Sequence, residues 1–357
     1  MKLAFAALVL PIAASLAFGG EVAVVAGGGT GGDGSKATEA KLVQPFAVDF
    51  AKDGTAYFVE MNGGERLRTI DAEGRVQTLA GTGKKGQPEA KVAAAKAKFD
   101  GMHNLVVLDD GILLADTFNH CIRRYDFESK SVVRLFGTGK VGFAGDGDDI
   151  EKVQFAQPIC IAVSTDRKLL FVTDIGNKRV RSTPFASPKF TTIAGNGKSG
   201  VPKDGAVAAT STLFDPRAVA IGPKGEIYIL ERGGHALRVV DAEGKIRTVA
   251  GTGKKGNSGD GGEALKATFD GPKFLAVDRD GSVLIADTEN HRIRRYVPKT
   301  GKVEAVAGSG KKGNGFDTDP AKLELSRPHG VSVHPKTGDI WIADSDNGRL
   351  LKISAER

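Results

Sequence analysis

Residues 285–295 read Ile-Ala-Asp-Thr-Glu-Asn-His-Arg-Ile-Arg-Arg, and residues 114–124 read Leu-Ala-Asp-Thr-Phe-Asn-His-Cys-Ile-Arg-Arg. So long a phrase, written twice in one chain, makes internal repetition the first thing to map. A second signal recurs more often. An apolar run closes on Ala-Gly at Ala26-Gly27, Ala80-Gly81, Ala194-Gly195, Ala250-Gly251 and Ala307-Gly308, and on Phe136-Gly137 in one copy. Successive copies lie 54 to 58 residues apart, enough for four short strands and their turns. Between copies the order is constant. A proline-led apolar segment (Pro216 to Ile221) is followed by a Gly turn, a second alternating strand (Glu226 to Leu230), a polar turn and a third strand (Ala236 to Val240). Each run has four to seven residues, is rich in Val and Ile, and is bounded by Gly, Asp or Lys, as strands are. No long 3.6-residue apolar period appears, so helix is expected to be nearly absent.

Six four-stranded units predict an all-β, six-bladed propeller, because one such sheet cannot bury both of its faces alone. The blades are expected to begin near residues 44, 100, 156, 215, 270 and 326 of a single domain spanning 18–357. The sixth unit supplies only three strands (His329–His334, Ile340–Ala343, Arg349–Ser354). Val22 to Ala26 is the expected fourth, which would close the ring and leave no open sheet edge.

The motif residues resemble the NHL family of propellers, on the strength of 285–295 and 114–124 with weaker echoes at Asp174/Asn177/Arg179 and Asp344/Asn347/Arg349. The resemblance covers the chain beyond its leader and speaks for the fold, since this architecture hosts enzymes, sensors and scaffolds alike.

Composition bounds the remainder. The chain has 357 residues, 40% of them hydrophobic, 48 glycines and a net charge of +7, which fits a folded, turn-rich protein with room for an anionic partner. Met1-Lys2, the apolar run Leu3 to Ala14 and Ser15-Leu16-Ala17 read as a signal peptide over 1–17, with a retained anchor as the alternative. The expectation is a secreted or periplasmic monomer with no transmembrane span after cleavage. Cys121 and Cys160 fall on strands too far apart to bridge and read as buried small hydrophobes. Few Tyr and Trp argue against a stacking platform for nucleic acid.

Repeated polar residues read as structure. Asp-x-x-Asn recurs at Asp116/Asn119, Asp174/Asn177, Asp287/Asn290 and Asp344/Asn347. There Asp and Asn bond their own turn backbone and tolerate left-handed geometry, with Arg123, Arg179, Arg294 and Arg349 as braces. Glu60 and Glu231 replace the acid in blades one and four and are candidate ligand contacts. The Gly-x-Gly-x-x-Gly loops lack the helix a dinucleotide site needs, Gly197-Lys198-Ser199 lacks a P-loop glycine, and Asp146-Gly147-Asp148-Asp149 has Gln157 where a calcium loop needs Glu. The lysines of those loops (Lys84, Lys85, Lys140, Lys198, Lys254, Lys255, Lys311, Lys312) would crown one face.

The residues that open the innermost strands are the candidate site: Phe46, His103, Ile159, Arg217, Lys273 and His329 in blade order. His103, Arg217 and His329, from alternate blades, suit an anion clamp, with Asn104 and Lys273 beside them. Peptidyl-α-hydroxyglycine lyase propellers resemble this arrangement, and that resemblance implies zinc on His103 and His329, with Arg217 standing where a third histidine would be. Gluconolactonase-type propellers, also similar, imply calcium on oxygen ligands, which this mouth lacks. The reading is therefore a binding module for a small anionic ligand, glycan or envelope protein, with no nucleic-acid partner and no resident cofactor. A metal-dependent lyase or lactone hydrolase is the rival, and a structural envelope scaffold the third possibility.

Overall fold

The computed structural model describes residues 20–147 and 150–355. The expected signal peptide, 1–17, and Asp148-Asp149 of the calcium-like loop lie outside the described residues. Six antiparallel sheets follow one another along the chain. Blade one is Pro45–Phe50, Ala56–Glu60, Arg66–Ile70 and Val76–Ala80. Blades two to five repeat the order from Met102, Pro158, Pro216 and Phe274. Blade six takes Pro328–Val333, Ile340–Asp344 and Arg349–Ile353 from the end of the chain, and Val22–Gly27 pairs antiparallel with Arg349–Ile353 to complete it. Each innermost strand packs on the next, and that of blade six packs on that of blade one, so the ring is closed. Helix is confined to three-residue 3-10 turns among the described residues.

Two details differ from the sequence reading. Blades two and four each gain a short outermost fifth strand, Lys91–Ala93 and Ala206–Val207, because the connecting loops run back along the outer edge. The second strand of blade four is Ile227–Glu231, one residue later than read.

Buried apolar side chains fill the wedges between blades rather than the sheets' interiors. Fully buried Phe99, Phe155 and Phe269 come from the loops that enter blades two, three and five. Each lies under a buried arginine of that blade: Arg123 over Phe99 at 4.8 Å, Arg181 over Phe155 at 5.2 Å and Arg294 over Phe269 at 4.9 Å, a cation–π contact strengthened by desolvation. The glycine ending each outer strand is dictated by close approach. At Gly308 (φ 98°) a side chain would run into the His291 carbonyl.

The repeated acid works across the blade entry, not within its own turn. Asp116, Asp174, Asp287 and Asp344 accept the backbone N–H of Asp100, Ala156, Asp270 and Ser326 at 2.7–2.8 Å. Each motif Asn donates to its Asp. The left-handed residue is the one after Asn: His120, Lys178, His291 or Gly348. In blade three the brace is Arg181, 3.6 Å from Asp174. Arg179 instead donates to the Asn177 and Asn196 carbonyls. The Thr or Ser after the acid ties neighbours together: Thr117, Thr288 and Ser345 donate to the carbonyls of Pro158, Pro328 and Pro45.

Candidate functional site

The leading residue of each innermost strand carries a local irregularity that aims a side chain at the axis. In five blades the register slips immediately after it, leaving Phe46, His103, Ile159, Arg217 and His329 as the extra residues of β-bulges. A bulge re-aims its unpaired side chain. In blade five the strand starts two residues later, at Phe274, and Lys273 holds the equivalent place through its N–H to the Ala286 carbonyl. All six line one cavity of about 330 Å³ on the loop face. The residue just before each leading position has a left-handed backbone, including Gln44 (φ 44°), Gln157 (59°), Asp215 (67°) and Arg327 (49°), each followed by proline. Such strain persists where surrounding structure over-determines it, often at binding sites. His120, His235 and His291 supply part of that constraint by accepting, at Nδ1, the N–H of Gln157, Gly271 and Arg327.

The histidines of the mouth are separated by an aromatic ring. His329 stacks on Phe46 at 4.0 Å between centroids, and His103 meets it edge-on at 4.9 Å. His103 Nδ1 lies 2.9 Å from the Gly101 carbonyl, which fixes it as the N–H tautomer. Lys273 Nζ approaches His329 Nε2 at 3.3 Å, leaving His329 Nδ1 buried without a hydrogen bond. Burial first, then Arg217 and Lys273, hold His103 well below the usual histidine range, and burial with Lys273 does the same to His329. The imidazoles are therefore neutral at pH 7, and the charge of the mouth comes from Arg217 and Lys273 with Arg232 and Arg327.

Those cations are not equivalent. Arg232 pairs with Asp215 at 2.6 Å. Lys273 and Arg327 share Glu289 at 2.8 and 2.9 Å; burial opposes ionisation of Glu289, yet these two cations draw it down to about 2. Burial lowers Lys273 to about 8. Arg217 is 6% exposed, lines the cavity and has no hydrogen bond or salt bridge among the described residues.

Other sequence candidates lie elsewhere. Asn104 is inside the wall, where its Oδ1 accepts the Ile161 N–H at 2.8 Å and clips blade two to blade three. Glu60 and Glu231 are buried in the repeated-acid position. They accept the N–H of Val43 and Phe214 and pair with Arg68 and Arg238 at 3.1 and 2.8 Å. Three crown lysines meet aspartates: Lys85–Asp100 at 2.9 Å, Lys255–Asp270 at 3.2 Å and Lys312–Asp346 at 4.0 Å. Both cysteines are buried, unbridged thiols, and burial pushes Cys160 up to about 12, which removes thiolate chemistry. The reading from sequence missed Arg232, Arg327, Phe118 and Glu289. All follow from the repeat frame, either one or two places after the repeated acid or immediately before the leading proline.

The donor set does not fit the metals that the lyase and lactonase resemblances imply. Phe46 keeps the two imidazoles apart, Lys273 occupies the Nε2 of one, and the third place is an arginine, which has no lone pair to give. Calcium needs several oxygen ligands, and Asn104 spends its oxygen on the backbone of the next blade.

Comparison with known proteins agrees with the ring. The NHL repeat model matches residues 269–296 and 325–353. Protein SUPPRESSOR OF QUENCHING 1, chloroplastic, of Arabidopsis thaliana is 24% identical over 75% of this chain and 31% of its own length. NHL repeat-containing protein 2 of Gallus gallus is 19% identical over 88% of this chain and 47% of its own. The chain thus spans about a third to a half of these relatives. Among solved structures, an auxiliary nutrient binding protein from Bacteroides ovatus superposes with a TM-score of 0.68 at 15% identity, covering 94% of this chain and 77% of that one. No helix among the described residues is long and apolar enough to cross a membrane. With the repeat model seated on blades five and six, and the same struts recurring around the ring, the chain is a six-bladed β-propeller that carries NHL repeats in its last two blades.

Proposed function

We propose that the loop-face mouth binds a small anionic ligand and that the chain acts as an exported binding module. The observation that carries this reading is Arg217: a residue almost wholly buried against a cavity, its guanidinium without a hydrogen bond or salt bridge among the described residues. A buried charge without a partner is costly, and an anion in the cavity supplies the missing partner through bidentate hydrogen bonds. Lys273 and Arg327 add positive potential, while the neutral His103 and His329 offer hydrogen bonds without charge. Asn104, Glu60 and Glu231 serve this site from behind, by holding the blades that carry it. The name of the Bacteroides neighbour, a nutrient binding protein, agrees with a binding role. The anion belongs to a free small molecule, a glycan or an envelope protein. The leader at 1–17 supports delivery to the periplasm or beyond, where the mature chain would begin near residue 18.

Isothermal titration of sodium carboxylates into the purified chain tests the reading. Arg217→Met is expected to weaken binding by roughly 30-fold or more, the scale of losing one partner of a buried charge pair. Binding unchanged in that variant would remove the mouth from consideration. Stoichiometric zinc or calcium in the purified protein would overturn a binding-only role.

A further inference from the structure

The charge of the mouth is divided across its diameter. Blades one to three contribute no formal charge to the lining: apolar Phe46, Phe118, Ile159 and Ile175 share it with a neutral His103 and with uncharged polar side chains such as Gln44, Asn62 and Gln157. Every formal charge of the lining, Arg217, Arg232, Lys273, Arg327 and Asp346, comes from blades four to six. Within that charged half the four cations share two carboxylates, Asp215 and Glu289. Asp215 answers Arg232, Glu289 answers Lys273 and Arg327, and Asp346 faces Lys312 across 4.0 Å. Arg217 is the lining cation without a salt bridge among the described residues. Phe118, from blade two, lines the same cavity and is 41% exposed. Its ring stands edge-on to His103 at 5.6 Å.

We infer that the ligand is an amphipathic organic anion: a carboxylate set on Arg217, with an apolar, preferably aromatic, body laid against Phe46, Phe118, Ile159 and Ile175. This rests on the anion-binding reading above and narrows it to a chemical class. A carboxylate gives Arg217 the kind of partner that the other three lining cations already have in Asp215 and Glu289, and it can meet the guanidinium bidentately. An inorganic ion would leave the apolar side chains of the uncharged half without a contact. A volume near 330 Å³ lies at the small end of ligand pockets and suits a compact acid better than a polymer.

The test is a titration series on the full chain at pH 7 with acetate, isovalerate and 3-phenylpropionate, alongside sulfate and the neutral 3-phenylpropanol. Affinity is expected to rise along the carboxylate series, by roughly three- to four-fold for each buried methylene equivalent. Sulfate and 3-phenylpropanol should fall at least ten-fold below 3-phenylpropionate. Ile159→Ser should flatten the series without abolishing acetate binding, and Arg217→Met should make acid and alcohol equal. A flat carboxylate series, or sulfate equal to 3-phenylpropionate, overturns this inference while leaving anion capture standing. The alcohol binding as well as the acid, or no titrant binding at all, overturns both.

Discussion

Arg217 exposes a conflict between binding and stability within a single side chain. A buried guanidinium with no counter-charge costs free energy in the empty protein. Replacing it with an apolar side chain of similar length removes that cost. Arg217→Met is therefore expected to stabilise the ligand-free chain by about 1–3 kcal/mol, visible as a higher denaturant midpoint, while it weakens anion binding. A variant less stable than the parent would show that the guanidinium has an undetected structural partner. The leading position of each blade was legible because it follows a repeated proline, so the mouth residues could be listed in ring order from the sequence. What they do there was less legible. The ring of Phe46 between His103 and His329 comes from side chains of three different blades, and the neutrality of both histidines comes from burial. Neither is written in local spacing.

Between residue and ring, the recurring unit is a strut: acid, asparagine, arginine and the N–H that enters the next blade. Asp116 and Arg123 are both fully buried, 3.4 Å apart. Asp116→Ala would strand the arginine and the Asp100 N–H, at an expected cost of about 3–5 kcal/mol, measured by urea unfolding. A loss under 1 kcal/mol would refute the strut. The sequence located these acids in every blade but assigned the wrong arginine in blade three, because Arg179 faces Asp174 in strand register while Arg181, two residues on, is the one whose guanidinium reaches it. The histidines following the motif were recognised as turn residues, yet their acceptance of the next blade's N–H was not visible, since the partner lies 36 or 37 residues away. Burial lowers His120 below its usual value. Its neutral form is thus favoured by folding. The stability it contributes is complete above about pH 6.5 and is lost as the pH falls toward its folded pKa. Asn tolerates the left-handed backbone at this position and offers an oxygen that does not titrate. His120→Asn should match the parent at pH 7.5 and lose less stability than it between pH 6.5 and 5.5. Parallel pH profiles would exclude His120 from acid sensing by the fold.

For the whole molecule, blade count and closure followed from a repeat that ran one strand short at one end and one strand over at the other. The short fifth strands on blades two and four escaped detection because Lys91–Ala93 and Ala206–Val207 are too brief to show alternation. Truncation after Gly348 removes the partner of Val22–Gly27 and should yield a chain that associates and unfolds without a single cooperative transition, read by light scattering and circular dichroism. A monomeric, cooperatively folding truncation would show that the ring does not need its clasp. The same pairing sets a timetable. Val22–Gly27, an uncharged run of the kind that pairs promiscuously, meets its mate only after some 320 further residues have been made (349 minus 27). At ~5–20 residues per second, that is a wait of roughly a quarter of a minute to a minute on the ribosome. During synthesis, then, the earliest strand is an orphan, and whatever shields it until the last strand arrives decides how much of the protein reaches its ring at all.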